Sequence, residues 1–124
     1  MGHTCSAPDK QFIGITQINM DSLGYWSESL ADGDADPAQV ISQTKIAERS
    51  VTATAPTDPT LSQTRLMLRV MFSEYWRAVS ARAHHRSAGI HMMRAYGLAN
   101  FAHDALVQAQ PALMSKGCDV SPLL

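Results

Sequence analysis

Five histidines (His3, His84, His85, His91 and His103), two cysteines and a run of alternating aspartates are the residues of this 124-residue chain whose types could carry chemistry. A structural zinc site needs four ligands in a tetrahedral arrangement. His84 and His91 are seven residues apart and share a face only on an unbroken helix. No HExxH pair accompanies them, and Asp104 and Cys118, the nearest further donors by type, lie far along the chain. His84 and His85 therefore read as polar residues at a helix end, where the C-terminal dipole favours imidazole. No metal and no cofactor is expected. Asp32, Asp34 and Asp36 imitate the start of a calcium loop, but Pro37 stands where the sixth position needs glycine and Gln43 where the twelfth needs glutamate. That segment reads as a solvated acidic loop.

His91 shares the alanine-rich face of a helix with Leu98, Ala102 and Ala109. An imidazole there can serve as a base or contact a bound group, or simply make one hydrogen bond at the rim of a core. Tyr96, His103 and Asp104 are its natural collaborators, yet none stands four residues away, and no Ser-His-Asp or Cys-His order can be drawn. There is no Walker loop, GxGxxG, CxxC or GxSxG motif. No catalytic residue is assigned. The side chains that could line a ligand pocket between helices are Tyr75, Trp76, His91, Tyr96 and His103; the same residues also make an ordinary core.

Charge is unevenly placed. Residues 1–59 carry eight acids against three bases, whereas residues 60–110 carry six arginines against Glu74 and Asp104. An acidic segment lying against a basic helical body fits this pattern better than a surface kept for a polyanion. At about 100° per residue, Arg65, Arg69 and Arg77 point away from Arg82 and Arg86, so the arginines wrap around their helix and form no phosphate-binding stripe. Nucleic acid is not the expected partner. Cys5 and Cys118 sit near opposite ends, no secretory apolar stretch follows Met1, and no apolar run has membrane-spanning length. The expectation is a reduced cytoplasmic protein with idle thiols and no membrane association. The opening Met1-Gly2-His3-Thr4-Cys5-Ser6 fits the loose myristoylation pattern, which is too short to rely on.

The elements that must position these residues are mainly helical. Thr60 to about Arg86 reads as one long helix, because Leu61, Leu68, Met71, Phe72, Tyr75, Trp76, Val79 and Ala83 share about 140° of arc. Its start is either a capping box at Thr60 and Gln63 or the pair Asp58-Pro59. A second helix spans about Ile90 to Gln110, with Ser87-Ala88-Gly89 read as a corner that folds the two into an antiparallel pair. Asp36-Pro37 caps a thinner helix running to about Arg49, Val51 to Pro59 reads as an extended linker, and Pro111 starts a last short helix. Gln11 to Met20 alternates apolar and polar residues around Gly14 and reads as a strand or extended arm. The expected architecture is thus a small helical bundle (37–110) with an extended or short β N-terminal arm and acidic loop (1–36) and a short helix and tail (111–124).

Leu66 and Val70 lie opposite the broad apolar face of the long helix and have no assigned partner. They imply a homodimer, unless the N-terminal arm folds back over them. Three functions stay open: a non-catalytic interaction or regulatory protein acting as a homo-oligomer or as a subunit with a protein partner, a small helical enzyme or binder of a small apolar ligand, and a nucleic-acid-binding protein. The first is the reading taken.

Overall fold

Three helices of this chain begin in the same way, with a short polar side chain followed at once or after one residue by proline. Ser6 precedes Ala7-Pro8, Asp36 precedes Pro37 and Asp58 precedes Pro59; each of the three side chains accepts a hydrogen bond from an amide of the first turn. The computed structural model describes residues 4–124 and contains α1 (Ala7–Ala31), α2 (Pro37–Ala53), α3 (Pro59–Ala83), α4 (Gly89–Ser115) and a terminal 3-10 turn (Ser121–Leu123). His3 and the glycine of the myristoylation-like pattern lie outside the described residues. Among those described, no helix is long and apolar enough to cross a membrane.

The mainly helical reading holds, and the strand does not. Gln11 to Met20 lies inside α1, and Val51 to Ala53 ends α2. Phe12, Ile13 and Thr16 are buried, with Met20 and Leu23 packed against the core, so the 3.6-residue spacing governs. Ile18, which completed the apparent alternation, is 68% exposed. The residues expected to form an extended arm are therefore one wall of a four-helix bundle. Pro111 likewise starts no new helix: α4 continues through it to Ser115. The amide that proline lacks would have met the carbonyl of Val107, an exposed position where water can replace it.

α1 packs on α2, α2 on α3 and α3 on α4. Early residues of α3 meet late residues of α4 and the reverse, so the pair predicted to be antiparallel is so. The corner between them ends α3 at His85, whose φ of 55° places it in the left-handed region. The Arg86 amide returns to the Ala81 carbonyl (2.7 Å) and closes the helix end. Gly117 ends α4 in the same manner at φ 82°, and the Cys118 amide reaches back to Leu113 (2.8 Å). This turn brings Cys118 to Cys5, and the two form a disulfide across 113 residues of sequence. The expectation of two idle thiols is thereby corrected; spacing alone could not reveal the pairing, because it depends on α1 and α4 running antiparallel.

The fully buried side chains include Phe12 of α1, Val40 and Val51 of α2, Leu61 and Phe72 of α3, Leu113 of α4 and Val120 beyond it. Phe72 is fully buried in the hydrophobic core, and Phe72→Ala should cost about 3 to 5 kcal/mol in urea unfolding through lost transfer energy and the cavity left behind. A change below about 1 kcal/mol would place Phe72 outside the core. Cys5→Ser with Cys118→Ser should cost about 2 to 5 kcal/mol, because the cross-link restricts a long loop of the unfolded chain. Alkylation of the denatured, unreduced protein checks the bond directly: a labelled thiol would refute it.

Candidate functional site

The five residues expected to share a ligand pocket occupy four different surroundings. Tyr75 and Tyr96 line a cleft of about 460 Å3 at the end of the bundle where α1 stops and α4 begins, together with Ser27, Leu30, Pro37, Val79, Arg82 and Met92. Its polar floor is a hydrogen bond from the Ser27 hydroxyl to the Tyr75 hydroxyl oxygen (2.7 Å). Trp76 faces α2 instead. The Lys45 ammonium lies 4.3 Å from its ring centroid and the Arg77 guanidinium 5.5 Å, while its indole N–H reaches Glu48 at 3.4 Å. His91 turns to the buried Glu74, with Nδ1 2.6 Å from Oε2, and Arg94 lies 3.9 Å from the other carboxylate oxygen. His103 stands at a smaller cavity of about 220 Å3 between α1, α3 and α4.

A histidine oriented by a carboxylate has half of the arrangement used in nucleophilic catalysis. The other half is missing. Among the described residues no hydroxyl or thiol is hydrogen-bonded to the second ring nitrogen of His91. The pair therefore satisfies a buried carboxylate that would otherwise be costly, which is the rim-of-core role already open to His91. Three of the arginines are similarly engaged within the chain: Arg65 donates to the Thr52 carbonyl, Arg77 lies over Trp76 and Arg94 approaches Glu74.

A polar knot at the other end of the bundle was not apparent from the sequence. Asp9, buried in the first turn of α1, accepts from the Thr57 amide (2.7 Å), the Thr57 hydroxyl (3.0 Å) and the Asp58 amide (3.1 Å). Asp58 in turn caps α3 and accepts from the Lys116 ammonium (2.8 Å). The disulfide adjoins both, and donor atoms of Cys5, Asp9 and Cys118 lie within 4.8 Å of one another. With the two sulfurs bonded to each other, neither is the thiolate that a metal would require. Burial disfavours the charge on Asp9, but the hydrogen bonds from Asp58, Ser6 and Thr57 outweigh it and hold its carboxyl below the ordinary value of 3.8. The hydrogen bond and charge of Asp58 raise the Lys116 ammonium above its ordinary 10.5.

An apolar surface without an internal partner lies on the outside of α3 and α4. Val70, Glu74, Arg94, Gly97, Leu98 and Phe101 line an apolar groove of about 450 Å3. Val70 is 47% exposed, Leu66 beside it 54% and Phe101 67%. The N-terminal segment does not fold back over Leu66 and Val70, because it is α1 and packs on α2. The exposure of these two residues was foreseen from their position opposite the core face. The contribution of Phe101 was missed, since it stands alone between Asn100 and Ala102 with no apolar residue of its size beside it.

No protein-family model, curated protein or solved structure matches the chain.

Acid unfolding tests the knot. A carboxyl whose pKa is lowered on folding contributes stability that is present above its unfolded value and is lost as pH falls through the folded one. The wild-type protein should therefore lose stability below about pH 4, and Asp9→Asn should flatten that slope. At neutral pH the same variant should be less stable by about 1 to 3 kcal/mol, since the Thr57 and Asp58 amides lose a charged acceptor. Urea melts across the pH range give both values, and an unchanged acid slope would remove Asp9 from this role.

Proposed function

We propose that this chain is a non-catalytic helical interaction module that works as a homodimer, joined through the outer faces of α4. One observation carries the reading. Ile90, Arg94, Gly97, Phe101, Asp104 and Gln108 are all exposed and fall within about 80° of arc on α4. The stripe is self-complementary when two copies run antiparallel about a two-fold axis at the level of Ala99. Phe101 then lies over Gly97 of the second copy, where no Cβ obstructs it and the groove beside Val70 is open. At the same level to either side, Arg94 faces Asp104 of the second copy, and Ile90 faces Gln108. A two-fold interface requires each contact to occur twice in this reciprocal manner. An aromatic anchor seated in a small-residue gap, with an ion pair at the rim, matches how binding energy concentrates in interfaces.

The disulfide bears on where such a dimer would work. Structural disulfides persist in oxidising surroundings, so an oxidising compartment fits this chain better than the reduced cytoplasm expected from its sequence. The reading of a small-ligand enzyme loses support here, because Trp76, His91 and His103 do not join Tyr75 and Tyr96 at the end cleft.

Sedimentation equilibrium at micromolar concentration should give the mass of two chains. Phe101→Asp should weaken self-association at least about 100-fold, and Asp104→Arg, at an exposed position, should weaken it by bringing two cations together. Arg94→Asp combined with Asp104→Arg should restore the dimer, which tests the register and not only the face. A single-chain mass for the wild-type protein would end this reading. A dimer indifferent to Phe101→Asp would move the interface elsewhere.

A further inference from the structure

α1 and α4 are the one sequence-terminal pair of the bundle, and their backbones do not close on each other as the other neighbouring pairs do. The alanines of α4 would allow close approach, but at Ala99 and Ala102 they instead leave a cavity of about 220 Å3, walled also by Met20, Leu68, Leu106 and Leu123. The cavity opens to solvent beside Asn100 and His103. It contains an anomaly as well. Thr16 is 1% exposed and borders the cavity, and its hydroxyl has no hydrogen-bond partner. Threonines in helices commonly donate to the carbonyl four residues back. Thr44, Thr52, Thr54 and Thr64 do so here, at 2.7, 2.6, 3.4 and 2.9 Å. Thr16 does not, and among the described residues its hydroxyl, on a residue that borders the cavity, is left unpaired.

We propose that this cavity is a binding site for a small neutral molecule consisting of one apolar ring and one hydroxyl, a phenol or single-ring alcohol. Size supports the ring: an apolar cavity of about 150 Å3 accommodates benzene, and this one has room for a substituent. The walls support neutrality, since no lysine, arginine, aspartate or glutamate lines the site. A charged group would lose part of its hydration there without a counter-ion. Thr16 supplies the specificity: rotation of its side chain toward the cavity lets the hydroxyl both donate to and accept from the hydroxyl of the guest. His103 and Asn100, both exposed, stand at the mouth. The site lies on the far side of α4 from Gly97 and Phe101, so it stands independently of the homodimer.

Benzyl alcohol and toluene are the probes, because they differ by the hydroxyl alone. Titrated into the full-length, disulfide-intact protein and followed by amide NMR, benzyl alcohol should shift Thr16, Met20, Leu68, Ala102 and Leu106 with a Kd of about 1 mM or tighter. Toluene should bind the same residues about tenfold more weakly. Thr16→Val keeps the side-chain shape, and in that variant the two probes should bind equally. Ala102→Leu, which fills the space, should abolish both; if that variant fails to fold, the Thr16→Val comparison decides alone. No shifts at these residues with about 10 mM benzyl alcohol would overturn the proposal and assign the cavity to water. Equal binding of the two probes to the wild-type protein would overturn it as well, since the orphan hydroxyl would then recognise nothing.

Discussion

The fold depends on a junction between its two ends. Among the described residues α2 and α3 each have an α-helical neighbour on either side, whereas α1 packs closely on α2 and α4 on α3, and the terminal 3-10 turn touches both α1 and α4. Hydrophobic side chains fill much of the space between α1 and α4 without bringing the backbones together. What fixes that seam is a disulfide from the residue before the α1 cap to the residue after the turn that ends α4, beside a buried carboxylate. Asp9 gathers two amides and a hydroxyl of the loop before α3, and Asp58 in that loop binds Lys116 at the end of α4. Three segments distant in sequence are thus held by groups that touch one another. Burying Asp9 is tolerable because its oxygens receive several hydrogen bonds at once, which keeps the ionised form favourable. A covalent clasp and a satisfied buried charge together do the work of the missing helix-to-helix packing.

How much of this could be read in advance varied with the type of signal. α3 was legible because eight apolar residues shared one broad arc, and its start and that of α2 were legible because Asp-Pro is both a cap and a first-turn dipeptide. α1 was misread because Ile13-Gly14-Ile15-Thr16 is rich in β-branched residues and alternates locally. The decisive counter-signal, Ser6 two residues before Pro8 and three before Asp9, lay just upstream. Tertiary packing then overrode propensity, since Phe12, Thr16, Met20 and Leu23 recur at helical spacing toward the core. The pocket residues were separable on paper too. Tyr75 and Trp76 are adjacent on a helix and therefore point about 100° apart, and they do face different neighbours. Only the disulfide and the knot around Asp9 were beyond reach, because they depend on where the ends of four helices meet.

The division of charge along the chain also finds its explanation in packing. An acidic arm draped over basic helices would have covered Leu66 and Val70 and neutralised the arginines. Instead the bundle answers individual charges locally. Glu74 sits between His91 and Arg94, Asp58 holds Lys116, and Trp76 lies between Lys45 and Arg77. Arg65 spends its guanidinium on the Thr52 carbonyl near the end of α2, where helix carbonyls lack amide partners. The sequence asymmetry is thus met in part by cations placed at helix joints, with Arg65 on the end of α2, Arg94 beside Glu74 and Lys116 on Asp58.

α4 shows why apolar content alone was a poor guide to its role. Ala95, Ala102, Leu106 and Leu113 are buried on one side, and Ala99 borders the seam with α1 next to them. Ile90, Gly97 and Phe101 occupy a third face that nothing in the chain covers. A helix serving three environments spreads its apolar residues around the circumference, so no single face stands out by hydrophobicity. Side-chain size discriminates better than polarity in such a helix. Alanine is placed where the core is tight or where space is left at the seam, and glycine stands one turn from the most exposed aromatic. Phenylalanine at a position two-thirds exposed forgoes most of the transfer energy that its burial would return. Among the described residues Phe101 borders the groove lined by Val70, Gly97 and Leu98, so this exposed aromatic stands beside apolar surface that is itself open, and size rather than polarity marks where α4 leaves burial energy unused.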